Sequence, residues 1–176
     1  MEENIITKLS NDILDKYYNT YSFDDKIDII KVSKLLGFKV YDSSNLSHLV
    51  LAELEVNKNK KRIAVNSIYK KEYKNYYIAQ ELAYYLLNSS NNSNNNSFYD
   101  MLTEYSLNSN ISLLANQILM PYNEFINKYN NYKLEYGTYN KVIEVLANEY
   151  KLPHDIINKR VQEILIEKNK IKQRIK

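Results

Sequence analysis

The chain lacks cysteine and tryptophan, and it has only two glycines and two prolines among its 176 residues. Without cysteine, disulfides and thiolate metal sites are excluded. No apolar run approaches the roughly 20 residues that a membrane-spanning helix requires. Few glycines and prolines, beside abundant asparagine, lysine, isoleucine and tyrosine, indicate an AT-biased coding sequence. We attribute the eighteen tyrosines to the same bias rather than to function.

The length of the chain indicates one globular domain, and its charge does not indicate a particular partner. A net charge of +3 is too small by itself to indicate a nucleic-acid partner. The first residues, Met1–Asn4, are acidic and unlike a secretory signal, so we expect a cytoplasmic protein without membrane association. One compact core suits this length. We predict a single domain over 1–176, with an N-terminal helix at 1–22, a core at 23–166 and a basic tail at 167–176.

The spacing of apolar residues predicts a mostly helical chain with a small three-stranded sheet, an α+β fold. Asp24 or Asp25 is the predicted cap of the second helix. The Asn/Ser-rich run at 88–97 is predicted to be a loop. Helices are predicted at 4–20, 24–36, 70–88, 99–107, 109–119, 122–130, 137–150 and 153–172, and strands at 38–41, 49–56 and 61–65.

Gln80, Glu81 and Tyr84 have the spacing of an H-E-x-x-H motif on the predicted helix 70–88. In that motif two histidines on one helix face hold zinc, and the glutamate deprotonates the metal-bound water. Here Gln80 and Tyr84 stand at the histidine positions. A neutral amide is a poor zinc donor, and a phenol with a pKa near ~10 resists ionisation. An ordinary amphipathic helix produces the same short pattern, so other segments must decide.

Three further segments accompany this helix in a fixed order. The predicted strand Arg62–Ser67 ends in Asn-Ser, the helix Leu113–Pro121 closes with Leu-Met-Pro, and Val145–Val161 joins two helices through Leu-Pro. In this order and spacing, residues 25–166 resemble the ImmA/IrrE family of zinc metallopeptidases. The resemblance implies a zincin-like metallopeptidase fold.

The resemblance also implies where the family's site residues fall. Its two histidines correspond to Gln80 and Tyr84, its third ligand, a glutamate, corresponds to Asn108, and its general base corresponds to Glu81. Structural zinc binding is worth on the order of 10–16 kcal/mol, so three ligand substitutions should remove nearly all of it. We therefore predict no zinc or other cofactor and a vestigial base. The same four residues are candidates for binding in the cleft.

Members of the resembled family relieve repression by cleaving helix-turn-helix repressors, often in phages and integrative elements. A domain that keeps the substrate cleft but loses catalysis can still bind such a partner. We therefore expect a pseudo-metallopeptidase that regulates by protein binding, as an anti-repressor or antagonist encoded by a phage or mobile element. Its partner would be a helix-turn-helix repressor or another host or phage protein.

An active endopeptidase with a non-standard metal site is the first alternative. Glu104 is the acidic residue nearest to Asn108, and it would bind metal together with Glu81. A histidine would complete the set, and the chain has only His48 and His154.

A DNA-binding module is the second alternative. The segment Tyr139–Leu165 resembles a helix-turn-helix, in which Lys159 and Arg160 would contact phosphates or base edges. The basic tail at 168–176 would add to the same contact.

Overall fold

The structure, a computed structural model, describes residues 2–21, 26–58, 60–90 and 109–174. These ranges form seven helices and three strands, which confirms the α+β prediction. The helices are α1 (Glu2–Thr20), α2 (Ile29–Leu35), α3 (Lys71–Ser90), α4 (Ser109–Leu119), α5 (Tyr122–Tyr136), α6 (Tyr139–Tyr150) and α7 (His154–Arg174); the strands are β1 (Lys39–Ser43), β2 (Ala52–Asn57) and β3 (Lys60–Asn66). The predicted helix 99–107 and most of the predicted loop 88–97 lie outside the described residues.

The chain divides into two compact units, Met1–Leu119 and Met120–Lys176. The first unit contains α1 to α4 and the sheet, and the second contains α5 to α7. The single domain over residues 1–176 stays a prediction.

Strand β3 is the centre of the sheet, which has the order β1-β3-β2. β1 runs parallel to β3, and β2 runs antiparallel to it. Ile63 and Val65 of β3 are buried, as is Leu54 of β2. Because β1 and β3 are parallel, their carboxyl ends lie at the same end of the sheet, where Ser67 N donates to Ser43 O at 2.9 Å.

Helix α2 begins later than predicted, and its cap is Asp28 rather than Asp24 or Asp25. Asp28 has an extended backbone, and its Oδ1 accepts hydrogen bonds from the backbone N–H groups of Ile30 at 2.9 Å and Lys31 at 3.4 Å. This satisfies donors that the first helical turn leaves unpaired. The predicted caps lie outside the described residues.

The predicted strand 49–56 begins too early, because β2 starts at Ala52. Ser47 and Val50 form a turn in which Val50 N donates to Ser47 O at 2.8 Å. Asn66 Nδ2 also donates to both carbonyls, at 2.9 Å to Ser47 O and 2.8 Å to Val50 O. The apolar run Leu49–Leu51 resembles a strand in sequence, but these bonds hold its first part as a loop.

In the second unit, a charged cluster joins α5 to α6. Lys128 Nζ lies 3.1 Å from Glu124 Oε1 and 2.9 Å from Glu149 Oε1. Tyr132 OH donates to Glu149 Oε2 at 2.6 Å, and Tyr150 OH donates to Glu124 Oε1 at 3.0 Å. The hydrogen bond to Glu149 raises the pKa of Tyr132 to about 12. Burial and the charge of Glu124 raise the pKa of Tyr150.

Arg160 of α7 is fully buried, which contradicts the predicted role of this residue in DNA binding. Its Nε and Nη2 donate to Met120 O at 3.2 and 3.1 Å, and its Nη1 lies 3.3 Å from Glu163 Oε2. The guanidinium thus binds a carbonyl just beyond the end of α4, where helices leave carbonyls unpaired. Lys159 is exposed, so this residue of the predicted Lys159–Arg160 pair is available for a surface contact.

Replacing Glu149 with glutamine should lower the pKa of Tyr132 towards its usual value near 10. The raised pKa means that the hydrogen bond stabilises the fold below pH ~10, and that this contribution disappears as pH rises through about 12. The pKa of Tyr132 is measured from tyrosine ring-carbon NMR shifts followed through an alkaline titration. Glu144→Gln on the same helix is the control, since Glu144 pairs with Lys141 instead. An unchanged Tyr132 pKa in Glu149→Gln would contradict the assignment.

Arg160→Met should destabilise the chain by about 3 kcal/mol, because it removes hydrogen bonds from a charged donor to a buried carbonyl. Lys159→Met is the matched control and should change the free energy of unfolding by less than about 0.5 kcal/mol, since Lys159 is exposed. Denaturant unfolding of both variants measures the difference. Equal losses in the two variants would show that Arg160 has no special role.

Candidate functional site

Helix α3 is enclosed by its neighbours, which fixes the positions of the motif residues. It packs against β2 and β3 on the sheet and against α4. Ala79, Leu82 and Ala83 are fully buried, as are Leu114 and Ala115 of α4. The small alanine side chains on both helices permit a close approach of the two backbones. A rotation of α3 would therefore break this packing. The side of α3 that carries Gln80 and Tyr84, which we call the motif face, thus has one orientation.

The structure places three of the predicted site residues on the middle of α3. Glu81 is 4% exposed, whereas Gln80 and Tyr84, one turn apart, are partly exposed. Glu81 and Tyr84 each take part in further interactions within the fold. Asn108 lies outside the described residues. The spacing of the motif is thus realised on a single helix, and Glu81 is more buried than Gln80 and Tyr84.

A lysine that the sequence did not single out contacts α3 at Tyr85, directly after the motif. Lys61 Nζ of β3 donates to Tyr85 OH at 2.7 Å and lies over the Tyr85 and Phe38 rings, 4.7 and 5.5 Å from their centroids. The hydrogen bond from Lys61 lowers the pKa of Tyr85. This contact anchors β3 to α3. Its sequence signal was weak, because Lys61 stands in a run of lysines.

The side chains at the motif positions do not fit zinc. Gln80 offers a neutral amide and Tyr84 a phenol, and neither is a usual zinc ligand. Across residues 2–21, 26–58, 60–90 and 109–174, no group of three His, Cys, Asp or Glu side chains could hold a metal ion. His48 lies in the loop before β2, and His154 starts α7 in the second unit. Glu104 lies outside these ranges.

The sequence profile of the IrrE N-terminal-like domain, which defines the M78 peptidases, matches residues 34–162. The chain belongs to this family. The resemblance inferred from the motif helix and its accompanying segments is therefore confirmed, and the observed α+β architecture agrees with the predicted zincin-like fold. No curated protein matches the IrrE-like chain in sequence.

Among solved structures, a Mycobacterium tuberculosis transcriptional regulator resembles this IrrE-like chain with a TM-score of 0.51 and 15% sequence identity. The match covers 88% of this chain but 45% of the regulator, so the chain spans less than half the length of that protein. At this identity the likeness concerns the fold alone. In the part of the IrrE-like chain that the structure describes, no helix is both long and apolar enough to cross a membrane.

Restoring the family's ligands should restore zinc binding. In the variant Gln80→His/Tyr84→His/Asn108→Glu, two imidazoles one turn apart and a carboxylate would form a three-ligand set. We expect one zinc ion per chain by elemental analysis after dialysis. Activity need not follow, because zinc sites also require groups that orient the ligands.

The control for this variant is Gln80→His/Asn108→Glu, which leaves Tyr84 in place and should hold zinc far more weakly. A folded triple variant that takes up no zinc would show that Asn108 is not the third ligand position.

Proposed function

We propose that this chain is a catalytically inactive IrrE-like pseudo-metallopeptidase that regulates by binding a protein partner. The donor set on α3 is the observation that supports this proposal. The family's zinc depends on side chains that Gln80 and Tyr84 replace, and no cofactor is expected in their absence. Peptide hydrolysis by this family's chemistry would therefore lack the zinc ion that it requires.

Glu81 cannot act as the general base without that metal. Zinc lowers the pKa of bound water to about 7, within reach of a carboxylate. Ordinary water stays far outside that reach. A buried carboxylate is costly unless it has partners, and Glu81 is 4% exposed and is engaged within the fold. We therefore assign Glu81 a structural role on α3, and we propose that Gln80, Tyr84 and Asn108 contribute to binding.

The family suggests the class of partner. We propose a helix-turn-helix repressor or another host or phage protein, bound in the manner of an anti-repressor or antagonist encoded by a mobile element. Such a partner also implies a cytoplasmic location. The regulator from Mycobacterium tuberculosis is consistent with a role in transcription, although the likeness to it concerns the fold.

The two alternatives have less support. An active endopeptidase would need a metal set of Glu81, Glu104 and a distant histidine, and Glu104 lies outside the described residues. A DNA-binding module would rely on α6 and α7, but Arg160 is buried against Met120 O. Lys159 and the basic tail are the remaining candidates for a nucleic-acid contact.

A base-inactivating substitution tests the proposed function. Glu81→Gln keeps the size and hydrogen-bonding capacity of the side chain, so stability should change by no more than about 1 kcal/mol. In the native host, the variant should restore the transcript profile of a deletion strain as fully as the wild type does. Binding by occupancy predicts this result, because no proton transfer is involved.

A matched substitution at the same helix shows whether the assay responds to the motif face. Tyr84→Ala removes a partly exposed side chain and should weaken the regulatory effect if that face binds the partner. If a folded Glu81→Gln protein behaved like the deletion strain, the function of the wild-type chain would depend on catalysis by Glu81. The active endopeptidase would then replace our proposal.

A further inference from the structure

Lys61 and Tyr85 form a cation–phenol pair in the first unit. Lys61 Nζ donates to the phenol oxygen of Tyr85 at 2.7 Å, and it lies 4.7 Å from the centroid of the same ring. Lys61 belongs to β3, and Tyr85 belongs to α3. Both residues are partly exposed, so solvent reaches the pair. A phenol that accepts a hydrogen bond from a cation differs in its chemistry from an ordinary surface tyrosine.

Neighbouring groups fix the position of the Lys61 ammonium. Its Nζ also donates to Leu36 O at 3.4 Å and lies 5.5 Å from the centroid of the Phe38 ring. The Phe38 and Tyr85 rings meet edge to face, with their centroids 5.0 Å apart. In the part of the chain that the structure describes, no carboxylate forms an ion pair with Lys61. The positive charge therefore acts on the phenol without an acidic side chain to neutralise it.

Two tyrosines of the second unit have the opposite arrangement. Tyr132 and Tyr150 donate their phenol protons to glutamates. The hydrogen bond to Glu149 raises the pKa of Tyr132, and burial raises the pKa of Tyr150. At Tyr85 the phenol oxygen accepts instead, and the hydrogen bond from Lys61 lowers its pKa. A cation at this distance favours the phenolate over the neutral phenol.

The phenolate, rather than the neutral phenol, is the nucleophilic form of a tyrosine. An ordinary phenol with a pKa near ~10 is only about 0.1% ionised at neutral pH. Each unit by which the pKa falls increases this fraction about tenfold, although a less basic oxygen attacks more slowly, as a less basic thiolate does. A lowered pKa is one way in which proteins activate nucleophilic side chains. Lys61 thus increases the share of Tyr85 that can attack an electrophile.

We propose that Tyr85 is a nucleophilic modification site that takes the sulfonyl or acyl group of a donor with a leaving group, and that Lys61 activates it. The inference goes beyond the proposed protein binding and does not rest on it. With an arylsulfonyl fluoride, the phenolate oxygen bonds to sulfur while the sulfur–fluorine bond breaks. The products are a tyrosine sulfonate ester and fluoride, and the phenol proton passes to the buffer. Lys61 stays protonated throughout.

Site-resolved labelling of the full-length chain tests the proposal. The chain is treated with benzenesulfonyl fluoride near neutral pH, samples are quenched over time, and the ester at each tyrosine is quantified by peptide mass spectrometry. Tyr139 is the internal comparison, because it is 41% exposed and its hydroxyl donates to Asn158 Oδ1. We expect Tyr85 to be modified at least about threefold faster than Tyr139, although a smaller fraction of Tyr85 is exposed.

Matched variants show whether Lys61 is responsible. Lys61→Met keeps most of the apolar stem and removes the charge, so it should slow the labelling of Tyr85 at least about threefold and leave Tyr139 unchanged. Lys60→Met removes the same charge from an exposed neighbour on β3 and should leave both rates unchanged. Lys61→Arg supplies another cation and should recover part of the Tyr85 rate. Thermal unfolding verifies that each variant is folded.

The pH dependence of labelling distinguishes activation from a purely structural contact, and it is measured on the wild type as well as on the variants. The rate at Tyr85 should rise with pH and level off below the pH expected for an ordinary tyrosine, whose pKa is near ~10, because the pKa of Tyr85 is lowered. In Lys61→Met the profile should move to higher pH. A contact that only joins β3 to α3 would not move this profile.

Three results would overturn the proposal. These are a Tyr85 rate no higher than that of Tyr139, equal Tyr85 rates in the wild type and Lys61→Met, and a sulfonyl group carried by Lys61 instead of Tyr85. Tyr85→Phe verifies the assignment, because it removes the oxygen that would take the group. These results leave the proposed protein binding untouched, since that proposal is tested separately by Glu81→Gln and Tyr84→Ala.

Discussion

Helix α3 lies between the sheet and α4, and the burial of its alanine and leucine side chains positions the rest of the first unit. The close packing of Ala79 and Ala83 leaves no freedom to rotate the helix. Lys61 secures the same helix to β3 through Tyr85. Because α3 is held in this way, whatever occupies its motif positions is presented at a fixed place beside the sheet.

This arrangement explains how the fold can persist while the ligand types change. The core depends on residues beside the ligand positions, namely Ala79, Leu82 and Ala83, so side chains other than histidine at positions 80 and 84 leave their packing intact. A buried carboxylate at Glu81 needs partners, and Glu81 is engaged within the fold. This arrangement is consistent with the proposed binding by occupancy.

Local patterns predicted the elements well, and long-range contacts determined the exceptions. The predicted helix 70–88 became α3 because its apolar and alanine spacing agrees with its burial. The predicted start of β2 was wrong because Asn66, which is distant in sequence, binds Ser47 O and Val50 O and holds these residues as a loop. The predicted role of Arg160 in DNA binding was wrong because it rested on the charge of this residue and not on its position. The buried neighbours Ile157 and Ile164 place Arg160 on the inner face of α7.

The metal content of the wild-type chain tests the central claim most directly. Protein expressed in zinc-supplemented medium is dialysed without chelator, and its zinc is measured by inductively coupled plasma mass spectrometry alongside native mass spectrometry of the intact chain. The donor chemistry of Gln80 and Tyr84 predicts a metal-free chain with substoichiometric, readily exchanged zinc at most. One tightly held zinc ion per chain, lost when Glu81 or Tyr84 is replaced by alanine, would contradict the account.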